Sequence, residues 1–166
     1  MGMQLNKEKY KEAILLFLNS LSEVNGKKKF YKLFYFLDFD NFEKFNIPIT
    51  GDTYVKKKYG PVPLYFDAMV EELQREGKIK VTKVRKNLTH ENDTVVYKLV
   101  SKHASSLKYL TKNEKKMLDR IIDKYGKLSG KDLEALSHNE APWNAVDFYE
   151  VIPYELGYYR NTDFSE

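Results

Sequence analysis

Residues 27–45 read KKKFYKLFYFLDFDNFEKF, and the fold turns on them. Phe30, Leu33, Phe34 and Leu37 recur at helical spacing. Tyr31, Tyr35, Phe36 and Phe39 widen that stripe nearly all the way round. A helix apolar on almost every side has to be central, with the other elements packed about it. Pro48 stops it. Asp38, Asp40 and Glu43 do not converge on one helix face, so they are expected on a solvated strip and not around a metal ion.

Working outward, residues 6–22 have the same period. Tyr10, Ala13, Ile14, Phe17, Leu18 and Leu21 form the stripe, Asn6 is the N-cap, and Asn25-Gly26 is the stop. Downstream, Gly51-Asp52 marks a turn and Thr53-Tyr54-Val55 a short β-prone run. Gly60-Pro61-Val62-Pro63 is expected to open a third helix over 62–76, with Tyr65, Phe66, Met69, Val70 and Leu73 inward. Residues 78–86 and 94–100 alternate and predict a β-hairpin with one wet, cationic face. Thr111 with Glu114 is a capping-box signature for a helix ended by Gly126. Ser129 with Asp132 starts another, and Pro142 opens a last one around Trp143. The fold class is α+β and mainly helical: a three-helix, winged-helix-like unit with a short strand and a hairpin, then C-terminal helices. Its 166 residues suit a single domain, 1–166, with an acidic, aromatic tail from about 147.

Composition narrows the function. There is no cysteine, which removes disulfides, thiolate metal sites and cysteine nucleophiles together. No phosphate loop and no dinucleotide fingerprint occur. His90, His103 and His138 do not form a zinc-type pair. Ser137 beside His138 lacks a nucleophile elbow and an orienting carboxylate at recognisable spacing. We therefore expect no cofactor, no metal and no enzyme. No signal sequence or membrane-spanning run is visible, so the cytoplasm is the expected compartment.

Charge is uneven. Residues 24–86 carry a net of +6, and residues 147–166 a net of −4. Lys27–Lys29 and Lys56–Lys58, with the hairpin cations Lys78, Lys80, Lys83, Arg85 and Lys86, offer a groove that could meet phosphates. The outward face of the third helix is mostly acidic (Asp67, Glu71, Glu72, Glu76), which weighs against a nucleic-acid reader. Rings are abundant, with 13 Tyr, 10 Phe and 1 Trp. Candidate anchors for a protein partner are Tyr54, Tyr59, Tyr65, Trp143, Tyr149, Tyr154, Tyr158 and Tyr159, with His138 beside them.

Three segments in order resemble the Panacea domain of SocA-like antitoxins, a family found in bacterial and phage toxin–antitoxin systems. The first is Lys32-Leu33-Phe34-Tyr35-Phe36-Leu37-Asp38-Phe39. The second runs from Ile49-Thr50-Gly51-Asp52-Thr53-Tyr54 into Lys58-Tyr59-Gly60-Pro61-Val62-Pro63. The third is Leu136-Ser137-His138-Asn139-Glu140-Ala141-Pro142-Trp143, with Ala141 where the family often has glycine. The resemblance implies Lys32, Tyr35, Gly60, Pro61, Ser137, His138, Pro142 and Trp143 as family-motif positions. It also implies a non-enzymatic domain that neutralises a toxin encoded nearby by binding it, and that in some systems presents it to a Clp-type protease. A ring-rich surface would also suit a homodimer. The competing reading is a winged-helix-like nucleic-acid binder or regulator.

Overall fold

The computed structural model describes residues 3–84, 94–102 and 107–165. Arg85, Lys86, the polar loop with His90, and His103 lie outside them. In chain order the elements are α1 (Lys7–Leu21), β1 (Glu23–Asn25), α2 (Lys27–Phe45), β2 (Tyr54–Lys57), β3 (Gly60–Pro63), α3 (Phe66–Arg75), β4 (Ile79–Val84), β5 (Thr94–Leu99), α4 (Lys112–Tyr125), α5 (Gly130–His138), α6 (Ala141–Asn144) and a 3₁₀ helix (Tyr154–Arg160).

The α+β, mainly helical expectation holds, and α2 is its axis. Twelve of its residues from Phe30 to Phe42, including every ring in that stretch except Tyr31, are among the buried. Around it pack α4, α5, the β2–β3 hairpin and the 3₁₀ helix, and α1 meets it through Tyr10 and Phe17 against Phe30 and Phe34. The core is a lattice of rings. Phe30, Phe34 and Phe66 lie 5.0–5.7 Å from one another, and Phe36 stacks on Tyr125 at 4.2 Å. Such offset and tilted pairs add stability beyond the area they bury.

β1, β5 and β4 form one antiparallel sheet, with β5 in the middle. β1 is three residues long and was not expected: Glu23–Asn25 has no alternation to reveal it, and only its pairing with Val96–Lys98 makes it a strand. Leaving aside β2–β3, the order α1, β1, α2, α3, β4, β5 is that of a winged-helix unit. The β2–β3 hairpin is an insert between its second and third helices.

Two local expectations need correction. Gly60–Pro63 does not begin a helix but pairs with Tyr54–Lys57. The prolines are tolerated because β3 is an edge strand, paired on one side only, with β2. α3 therefore starts four residues late, at Phe66, and Tyr65 is exposed. Asp38 and Asp40, expected on a wet strip, are both fully buried. Asp38 accepts from the Ile49 and Thr50 amides and from the Thr50 and Tyr54 hydroxyls, which tie the 49–54 segment to α2. Asp40 pairs at 2.6 Å with both Arg120 of α4 and Arg160 of the 3₁₀ helix.

The acidic tail is part of this body. The Tyr149 and Ile152 amides donate to the Lys56 and Tyr54 carbonyls, and Val151 bridges Val55, so the tail lies along β2 like a third strand. No helix among the described residues is long and apolar enough to cross a membrane.

Candidate functional site

The first turn of α2 carries Lys27, Lys28 and Lys29, behind an N-cap, Gly26, that offers no side-chain acceptor. No acidic residue follows in that turn. This is the reverse of what a helix dipole favours, since the free amides already make the N-terminus positive. Opposite this turn stand the β2–β3 turn, with Lys57, Lys58 and Tyr59, and the start of α5, with Gly130 and Lys131. Between them is a cleft of about 1130 Å³. Seven lysines line it and no carboxylate does. The two basic runs of the sequence do meet, but the hairpin cations Lys78, Lys80 and Lys83 do not line this cleft.

The lysines are not equivalent. Lys28 pairs with Glu134 at 2.8 Å and Lys27 with Asp67 at 3.2 Å. The Lys29 ammonium donates to the Gly126 carbonyl at 2.7 Å, and burial lowers its pKa. Lys57, Lys58 and Lys131 have no carboxylate partner among the described residues. Lys32 is the odd one. It is 1 % exposed, and its ammonium makes a single long bond, 3.4 Å, to the Pro61 carbonyl. Burial, helped by the neighbouring Lys28 charge and opposed by Glu134, brings its pKa down to about 7. Gly60 lies against it. With φ of +124° only glycine is comfortable there, and a Cβ would run into the Lys32 side-chain end. Three family-motif positions, Lys32, Gly60 and Pro61, are thus one contact.

The other motif positions form a second cluster behind the cleft. His138 stacks on Trp143 with centroids 4.0 Å apart. The Lys56 ammonium sits 4.5 Å from the same indole ring and donates to the Trp143 and Val146 carbonyls. Burial lowers the His138 pKa, with Lys32, Lys56 and Lys28 pushing the same way against Glu134. Ser137 is buried and donates to the Glu134 carbonyl at 2.9 Å, which commits its hydroxyl to the helix. Tyr35 donates to Glu140, which also meets Arg160 at 3.1 Å. Pro142 is the second residue of α6, where its missing N–H costs nothing. No group of three or more metal-ligating side chains occurs among the described residues.

The proposed aromatic anchors divide. Tyr54, Tyr154 and Trp143 are buried. The Tyr54 hydroxyl donates its one proton to Asp38 with the Phe34 carbonyl also in reach, and Tyr154 donates to the Asp52 carbonyl, so these two rings hold β2 and the tail to the core. Tyr59, Tyr149, Tyr158 and Tyr159 are exposed, with Tyr158 tied to Asn46. Phe148 and Val151, which periodicity did not single out, are exposed beside Tyr149. Tyr149 is the extreme case, 77 % exposed with φ of +71°. A bulky residue rarely adopts that conformation, and such outliers gather where a side chain must be presented. Tyr59 and Tyr149 both line the cleft, so it has a cationic floor and an aromatic rim.

Sequence reasoning missed Arg160, Arg120 and Lys131. No local pattern could have found the two arginines, because their partners lie up to 120 residues away, and Lys131 joins the cleft only through the packing of α5.

Residues 30–144 match the family described as Antitoxin SocA-like, Panacea domain. The span covers both motif clusters and most of the cleft. Searches of curated proteins and of solved structures found no match.

Proposed function

The chain belongs to the antitoxin SocA-like, Panacea-domain family, and we propose that it neutralises a cognate protein toxin by binding it directly. The family match carries this reading. The surface supports it: Tyr59, Phe148, Tyr149 and Val151 are large, exposed and gathered where the tail lies along β2. Rings of this kind, with few rotors and a polar end, supply most of the energy of protein interfaces. The acidic face of α3 is engaged elsewhere, with Glu72 and Glu76 paired to Lys7 and Lys11 of α1, and gives no cationic helix for a nucleic-acid groove.

Co-expression with the protein encoded beside it tests the proposal. The full chain should relieve that protein's toxicity and co-purify with it. Tyr149→Ala should weaken both while the fold stays intact, because the ring buries little within its own chain. A neighbour that is not toxic, or a toxic one that neither binds nor is relieved, would sink the reading. Presentation to a Clp-type protease is the further step that the resemblance implies. It would appear as a toxin half-life shortened by this chain and restored in cells lacking the protease.

A further inference from the structure

We propose that the lysine-lined cleft is a binding site for a small phosphorylated molecule of nucleotide type, with its phosphates against Lys32 and the first turn of α2. Four observations converge on an anion. Seven lysines and no carboxylate face a concave space of about 1130 Å³, of a size that suits a mononucleotide or somewhat more. One wall is the N-terminus of a 19-residue helix whose cap supplies no side-chain oxygen. At such an end free amides and the dipole favour a phosphate. Of the three lysines in that same turn, Lys27 and Lys28 are paired with Asp67 and Glu134, so the surplus positive charge comes from Lys57, Lys58 and Lys131 across the cleft, which have no carboxylate partner among the described residues. At the floor, Lys32 is buried with one 3.4 Å contact for three N–H donors.

Leaving an ammonium buried and under-bonded is costly, and a core has cheaper fillers of that length. An anion at the floor removes the cost, because its charge holds the Lys32 proton in place and its oxygens take the idle donors. The depressed pKa agrees with this geometry. The rim suits the rest of such a molecule. Tyr149 offers an exposed ring, and the Tyr59 ring has the Lys28 and Lys58 ammonium groups 4.8 and 5.3 Å from its centre. The proposal does not rest on toxin neutralisation, although Tyr59 and Tyr149 belong both to this rim and to the surface proposed for the toxin.

Calorimetric titration of the purified full chain with pyrophosphate and with ATP, at low salt, tests it. Pyrophosphate should bind at millimolar concentration or below, and ATP more tightly than tripolyphosphate because the base gains the rim. Lys57→Gln with Lys131→Gln, both surface changes, should lower pyrophosphate affinity about tenfold, and Lys32→Met about tenfold to a hundredfold, as expected for lost charge-assisted bonds. A circular-dichroism melt checks that each variant is folded, and the surface pair keeps the test alive should Lys32→Met fail to fold. No heat with either anion at millimolar concentration would overturn the proposal. So would affinity unchanged in the surface pair. A glutamate-rich peptide that binds where pyrophosphate neither binds nor competes would also overturn it, and would assign the cleft to carboxylates of a protein partner.

Discussion

Two of the places where this protein buries charge are built in opposite ways. Around Arg160 every charge has a counter-charge: its guanidinium reaches Asp40 at 2.6 Å, Glu43 at 3.2 Å and Glu140 at 3.1 Å, and Arg120 completes the Asp40 pairing. Around Lys32 there is one carbonyl in hydrogen-bond reach, the carboxylate that acts on it, Glu134, is paired with Lys28, and the charged residues that line the cleft are cations. The first region closes a tail of chain onto the core. The second leaves a deficit of negative charge at the end of a cleft that opens to solvent. A deficit of that kind weakens the fold, so it points to a ligand, whereas a completed web points to architecture.

The largest test of the contrast is Arg160→Met. It strands Asp40 as a buried carboxylate with one partner, and should cost roughly 3–5 kcal/mol in urea unfolding. A cost below about 1 kcal/mol would mean that the web is ornamental. Next is Gly60→Ala, where a strained backbone angle and the collision with Lys32 act together. Their sum should be about 2–3 kcal/mol. The double variant with Lys32→Ala should recover the collision part, which a double-mutant cycle would isolate.

Lys32→Met should do the reverse and stabilise. Its folded pKa of about 7 lies below the unfolded value of 10.5, so the unfolded chain holds the proton more tightly between those two values. The penalty is therefore full below pH 7 and fades as pH rises toward 10.5. Thermal melts should show the variant ahead by roughly 1–3 kcal/mol at pH 6, after allowing for its lost bond and local relaxation, with the lead shrinking by pH 9.5. A lead that does not depend on pH would end the idea of a costly buried ammonium. Smallest is Tyr149→Gly. It relieves a positive φ and removes an exposed ring, so stability should move by less than about 1 kcal/mol in either direction. Toxin neutralisation should fall all the same, which distinguishes a presented side chain from a packed one.

Much of the frame was legible because it is periodic. The stripes of α1, α2 and α4, and the capping boxes at Thr111 and Ser129, form as the local pattern requires. The failures have a common cause. Gly60–Pro63 has the residues of a helix start, yet Tyr54–Lys57 captures it as a strand. Asp38 looks solvated on a helical wheel, yet four donors from residues 49–54 surround it. Tyr54 and Tyr154 look like spare rings, yet each closes a hydrogen bond that docks β2 or the tail. The motif positions Lys32, Gly60 and Pro61 were named by resemblance, but their meeting at one contact was not visible in the sequence.

The sequence by itself determined a ring-packed, mainly helical α+β body, because side-chain period and capping chemistry act within a few residues. Its motifs also determined the family, and with it an antitoxin-type role. Only the tertiary structure decided which lysines share a cleft, which carboxylates are neutralised and which tyrosines reach solvent. Those are pairings across as many as 120 residues, set by how helices and strands pack. Burial and counter-charge belong to the assembled surface and not to any stretch of chain, which is why Lys32 reads as an ordinary lysine until Gly60 closes over it.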